Sequence, residues 1–273
     1  MLSSYNIRAD ALKASAPAVA LGATGLITFG TLSATMMQAL DTTIANVALP
    51  HMQGSLSASQ EQVAWVLTSY IVASAIATTP TGYLANRYGV KRIFLIAVAG
   101  FTIASMLCGI ASSLTEIVIF RLLQGIFGAA LVPLAQTTLL DTYPPEKQGS
   151  AMAAWGAGVM IGPIIGPALG GWLTEYYSWR WVFYINLPIG IATFFALKAA
   201  LPDSEPRRSA PMDFTGFLFL SVAIASLQLM LDRGQSLDWF QSTEIMVECG
   251  LAIAAMYLFV VHTMTTDKPF ISP

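Results

Sequence analysis

Charge is what this chain has least of. Only 10% of its 273 residues are Asp, Glu, Lys or Arg, against 55% hydrophobic, and its mean hydropathy is +0.65, far from the balance of soluble domains. A soluble fold is excluded. Basic residues (13) do not outnumber acidic ones (15), so nothing in the charge balance supports nucleic-acid binding. Cysteine is scarce as well. Cys108 and Cys249 both fall in apolar stretches without CxxC or metal-ligand spacing, and read as small buried hydrophobes. His51 and His262 lie near the ends of apolar stretches and have no metal-ligand neighbours. Hydrolase and zinc-protease signatures and Walker-type phosphate loops do not occur. Glu116, Asp141 and Glu175 are scattered without the partners that hydrolytic or metal chemistry needs. An enzyme and a nucleotide-driven pump are both disfavoured.

What the chain has instead is long uncharged runs. A bilayer core about 30 Å thick needs roughly 20 apolar residues in helical form, and eight windows fit: Leu21–Leu49, Val63–Leu84, Ile93–Leu114, Glu116–Leu140, Ser150–Leu173, Trp181–Leu197, Phe214–Leu231 and Ile245–Val261. The start is not a secretory signal, because the uncharged run from Ala14 to Leu40 is too long for a signal core. With a cytoplasmic N-terminus, the inside segments carry Arg8, Lys13, Arg87, Lys91, Arg92, Lys147, Lys198, Arg207, Arg208 and Lys268, and the outside loops only Arg180 and Arg233. That asymmetry puts both ends of the chain in the cytoplasm. The polar stretch 202–213 is the main internal boundary. The expected organisation is a cytoplasmic segment (1–20), a six-helix bundle (21–200), a cytoplasmic linker (201–213), a helix pair (214–263) and the start of a further connection (264–273).

Four stretches carry chemistry. Between the second and third windows runs Gly82-Tyr-Leu-Ala-Asn86-Arg87-Tyr-Gly89-Val-Lys91-Arg92, where glycines permit a tight turn and cations cluster. It is either a topogenic basic loop or a gate anchor. The first window places Asp41 in an otherwise uncharged helix, which is costly unless function requires it. Burial penalises the charged form, so proton loading there can be linked to which side the site faces. The plainer alternative is a capping or paired Asp near the outer interface. Arg121 is the one cation within the fourth window. Asp41 stands about 12 Å from the outer end of its helix and Arg121 about 9 Å from the outer end of an oppositely directed one. Equal depth makes them candidates for a pair, with a static structural Arg as the competing reading. The fifth window holds Gly158, Gly162, Pro163, Gly166, Pro167, Gly170 and Gly171. Glycines four apart share a face and permit close backbone approach, while the prolines bend the helix. Gln38, Trp65, Tyr70, Gln124 and Gln136 are candidates for lining a substrate cavity, or simply pack between helices.

These stretches resemble those of the major facilitator superfamily, and within it the fourteen-helix drug:proton antiporters. The loop at 82–92 looks like the superfamily's signature gate, with Asn86 where Asp is usual. The string Leu40-Asp41-Thr42-Thr43-Ile44-Ala45-Asn46-Val47-Ala48-Leu49-Pro50 resembles the antiporters' first-helix motif, and Arg121 through Ala130 the fourth-helix motif. Residues 158–171 are similar to the pattern of antiporter branches, and Trp179 through Gly190 to the sixth-helix entrance. The resemblance implies an all-α polytopic membrane protein, with a six-helix N-terminal bundle plus two extra helices. It implies proton-driven multidrug export from the bacterial inner membrane without a cofactor, and Asp41 with Arg121 as the coupling unit. For Gram-negative members it also implies a periplasmic adaptor and an outer-membrane channel as partners. Such carriers hold substrate between two bundles, so these residues alone are expected to transport nothing without a C-terminal half. Export of a metabolite or siderophore, or a non-transporting membrane scaffold, are the alternatives.

Overall fold

A computed structural model describes residues 21–203 and 212–266, and every regular element among them is helical. In chain order these are α1 (Leu21–Ser55), α2 (Gln60–Thr78), α3 (Thr81–Tyr88), α4 (Val90–Ile110), α5 (Leu114–Gly128) and α6 (Leu131–Thr142). They continue as α7 (Pro145–Tyr176), α8 (Trp181–Tyr184), α9 (Asn186–Ala200), α10 (Phe214–Arg233) and α11 (Thr243–Thr265). Arg8, Lys13, Arg207, Arg208 and Lys268, five of the cations behind the orientation argument, lie outside the described residues.

Local chemistry explains where the helices start. Ser59 opens α2 with a reciprocal capping box, its hydroxyl accepting from Gln62 N–H while the Gln62 side chain accepts from Ser59 N–H. Ser113 caps α5, and Asp213 caps α10 by accepting from Gly216 N–H at 2.9 Å. Prolines explain the interruptions. Pro80 marks a 52° bend between α2 and α3. Pro133 cannot donate to the Ala129 carbonyl, the chain breaks between α5 and α6, and the Thr78 hydroxyl from α2 reaches that carbonyl at 3.4 Å. Pro188 likewise leaves Tyr184 without its helical donor, and the chain breaks at Ile185 between α8 and α9.

Six segments are long and apolar enough to cross a membrane: Val90–Ile110, Leu114–Thr142, Pro145–Tyr176, Trp181–Ala200, Phe214–Arg233 and Thr243–Thr265. The bent pair α2 and α3 makes a seventh if taken as one span. The expected count of eight is therefore not reached. The shortfall is α1, which has ample length at 35 residues but is diluted by Thr24, Thr28, Thr31, Thr35, Gln38 and Asp41. Three of these, Thr31, Thr35 and Asp41, are fully buried. The polar stripe formed by these three faces protein.

α1 is the hub, packing on α7, α9 and α6. Around it α2 packs on α5, and α4 on α5 and α9. The pair α10 and α11 is held chiefly by its own contacts, and α10 joins the bundle along α2. Two apolar clusters form the core. One includes Ile27, Met37, Phe94, Phe101 and Leu131; the other includes Ile44, Met52, Val63, Ile117 and Phe183.

Candidate functional site

Between these two clusters sits a set of buried polar side chains drawn from five helices. Asp41 on α1 and Arg121 on α5 are 1% and 0% exposed, and Arg121 Nη1 stands 2.5 Å from Asp41 Oδ2. The equal-depth count from the sequence thus corresponds to direct contact. The same guanidinium donates from Nη1 to Gln124 Oε1 (2.8 Å) and from Nε to the Val66 carbonyl on α2 (3.0 Å). Its Cζ lies 4.1 Å from the centre of the Tyr70 ring, within cation–π range. Gln124 Nε2 donates to Asp41 Oδ1 at 2.7 Å, and the Cys108 thiol from α4 reaches Gln124 Oε1 at 3.5 Å.

Sequence reasoning treated the stretch around Asn186 as a recognition feature, and the structure places Asn186 in this cluster. Its Nδ2 donates to Asp41 Oδ1 (3.2 Å) and to Ser105 Oγ on α4 (2.9 Å), and the Ser105 hydroxyl donates to the Phe183 carbonyl (2.9 Å). The available signal was an amide two residues before Pro188, at the start of a broken apolar helix. Buried polar atoms here without a partner include Arg121 Nη2 and Asn186 Oδ1. A buried pair carries a desolvation cost that its mutual attraction need not repay. Its presence in an apolar bundle is therefore better explained by use than by stability.

The five cavity candidates separate. Tyr70 and Gln124 contact the ion pair, and Gln38 is half-buried one turn before Asp41. Gln136 is half-buried on α6. Trp65 lies elsewhere: it is 38% exposed and stacks under the Arg233 guanidinium of α10, in an open groove of about 790 Å³ that Glu61, Thr68 and Asp232 also line. Arg233 pairs in turn with Glu244 and Glu248 of α11, so Glu248 faces a neighbouring helix. Cys249 is half-exposed rather than buried, because α11 packs one side only.

The glycine motif forms a contact face on α1. A Cβ on Gly158 would meet Leu32, on Gly162 the Ala39 Cβ, on Gly166 Thr43 and on Gly170 Ile44; Gly171 has open space around it. The gate stretch is not a loop over most of its length. Gly82, Asn86 and Arg87 lie in the helix α3, exposed, and the turn is made by Gly89 alone, at φ 90 and ψ 139. Gly82 is helical with open space around it. Arg87 donates to the Tyr83 hydroxyl (2.5 Å), Lys91 pairs with Asp203 (2.9 Å), and Arg92 is exposed. Among the described residues no group of three or more His, Cys, Asp or Glu is placed to hold a metal.

A multi-pass bundle of apolar helices around a buried carboxylate–guanidinium pair places the chain in the class of polytopic helical membrane proteins. The chain belongs to the Major Facilitator Superfamily, whose profile matches residues 31–270. It is 42% identical over 256 residues to the multidrug export protein EmrB of Haemophilus influenzae, covering 93% of this chain and 50% of that protein. It is 43% identical over 239 residues to the fatty acid resistance protein FarB of Neisseria gonorrhoeae, covering 87% and 47%. The chain thus spans about half the length of these relatives. In fold it is similar to the peptide transporter POT (TM-score 0.65, 15% identity, 89% of this chain and 53% of that one). It is similar also to the proton:xylose symporter XylE (TM-score 0.60, 14% identity, 89% and 55%).

Proposed function

We propose that this chain forms the first half of a proton-coupled exporter of amphipathic compounds, drugs foremost, in the bacterial cytoplasmic membrane. Both termini of the chain face the cytoplasm in this reading. The observation that carries it is the buried Asp41–Arg121 pair, bridged by Gln124 and joined to two further helices by Asn186 and the Val66 carbonyl. A proton reaching Asp41 neutralises the carboxylate and removes the charge–charge attraction of the pair. Arg121 then keeps Gln124, the Val66 carbonyl and the Tyr70 face but loses its counter-ion, so α1 and α5 are free to change their relation. Neutralisation and repositioning together link the proton gradient to the side on which the site opens, and no bound cofactor is needed.

Export as the direction is supported by relatives named for multidrug export and fatty acid resistance. The second name favours a further reading, in which the substrate is an amphipathic carboxylate. A resistance profile of cells carrying the complete gene separates the two. A second bundle, and a periplasmic adaptor with an outer-membrane channel, are the partners this reading carries. The test is proton-linked efflux in proteoliposomes of the complete transporter with Asp41→Asn: coupling is expected to be lost, and undiminished coupling removes Asp41 from the mechanism. The 273-residue chain reconstituted alone should give no gradient-driven uptake of a fluorescent cation.

A further inference from the structure

We propose that Asn186 is the group that registers protonation of Asp41, by turning its side-chain amide over. The inference rests on Asp41 being the coupling carboxylate. Every recorded hydrogen bond to that carboxylate comes from a donor: Arg121 Nη1, Gln124 Nε2 and Asn186 Nδ2. An ionised Asp accepts all three, whereas a protonated one must also donate. In the present arrangement its proton has nowhere to go. Some neighbour has to offer an oxygen.

Two amides touch Asp41, and they differ. Gln124 Oε1 is engaged twice, by Arg121 Nη1 and by the Cys108 thiol. Turning that amide would set an NH2 group against the guanidinium, donor against donor. Asn186 Oδ1 has no partner although the residue is 1% exposed. Its present orientation is fixed by Ser105: the single hydroxyl proton there goes to the Phe183 carbonyl, so Ser105 Oγ is free only to accept, and Asn186 must present Nδ2. When Asp41 Oδ1 takes a proton, the amide turns and Oδ1 of Asn186 accepts the new O–H. The Ser105 hydroxyl then turns from the Phe183 carbonyl to the same amide oxygen. One hydrogen bond is released at Phe183, two residues before the break at Ile185 from which α9 begins. Protonation at α1 is thereby passed to the joint between α8 and α9. The titratable groups around Asp41 are Arg121 from α5, in direct contact, Tyr70 from α2, whose ring lies against that guanidinium, and Cys108 from α4, which reaches Gln124. α9 faces it with Asn186, and α7 meets this stretch of α1 through glycine.

Infrared difference spectra of the full chain in lipid nanodiscs, titrated with pH, test this, the Asp41 carboxyl band being assigned by its loss in Asp41→Asn. Asn186→Leu keeps the number and branching of the side-chain heavy atoms and removes both the donor and the acceptor. Loss of the donor to the charged form should raise the pH midpoint of Asp41 by about one unit. The carbonyl stretch of the protonated acid should also change, because its O–H has lost its acceptor. Ser105→Ala, which does not touch Asp41, should shift the midpoint in the same direction by a smaller amount, since it removes what holds the amide donor-outward. A purely structural role for Asn186 predicts lower stability with an unmoved midpoint. Wild-type midpoints in both variants overturn the inference and leave the coupling assignment standing. Absence of any Asp41-dependent band overturns both. If Asn186→Leu does not fold, Ser105→Ala decides alone.

Discussion

Gly162 of α7 and Ala39 of α1 approach so closely that a methyl group on the glycine would lie 2.9 Å from the Ala39 Cβ, two residues before Asp41. Gly158, Gly166 and Gly170 continue the contact along α1 from Leu32 to Ile44. The motif fixes the helix that carries Asp41. Its glycines therefore act on the site by placing α1, without touching Asp41 themselves.

Gly162→Ala and Gly171→Ala should move stability in opposite directions. Alanine gains about 0.5–1 kcal/mol over glycine in a helix, and at Gly171 nothing opposes that gain. At Gly162 the added methyl also meets the Leu40 backbone nitrogen at 3.3 Å, so α1 and α7 must separate, at a cost of about 1–3 kcal/mol. Thermal unfolding in detergent compares them. Equal shifts would mean that the α1–α7 contact is looser than described.

Arg121→Leu leaves Asp41 buried without its counter-ion, and loss of one partner of such a pair costs about 3–5 kcal/mol. The paired change Asp41→Asn with Arg121→Leu should recover much of that loss, since no uncompensated charge remains. A double-mutant cycle on unfolding free energy reads the coupling directly. Additive single effects would show that the two charges do not depend on one another.

Asp41 and Arg121 were legible because charges within apolar helices are rare and must find partners, and because opposite helix directions fix their relative depth. Asn186 and Ser105 were not. Neutral amides and hydroxyls occur in any helix, and which way Asn186 points depends on the break at Ile185, a tertiary outcome. The sequence windows also fall short of the helices, as in 150–173 against Pro145–Tyr176, because helical hydrogen bonding continues through polar residues such as Glu146 and Lys147. In the gate stretch the glycines pointed to a tight turn without showing which of them makes it: only Gly89 adopts a backbone conformation that requires glycine.

Gly89→Ala is the corresponding test. At φ 90 and ψ 139 a side chain is strained, at roughly 1–3 kcal/mol, so the substitution should destabilise the joint between α3 and α4. Gly82→Ala, in a helix with open space around it, should be neutral or stabilising. Hydrogen exchange over residues 81–92 distinguishes the pair: faster exchange is expected in the Gly89 variant alone. Asp203→Asn should change stability by less than about 0.5 kcal/mol, because the Lys91–Asp203 pair is exposed on the Asp203 side.

Trp65 decides whether the pair α10 and α11 is anchored to the bundle by a ring contact. The Arg233 guanidinium lies 5.4 Å from the centre of that ring, and one residue earlier Asp232 bonds the Thr68 hydroxyl of α2. Trp65→Ala removes the stacking surface, worth about 0.5–1 kcal/mol at an exposed site, and leaves the Asp41–Arg121 cluster untouched. The expected outcome is greater mobility of α10 relative to α2, read as a broader distance distribution between spin labels on the two helices. Drug binding by the complete transporter should change little. The converse result, an unchanged distribution with weakened drug binding, would return Trp65 to the substrate cavity and leave Asp232 with Thr68 as the main tie between pair and bundle.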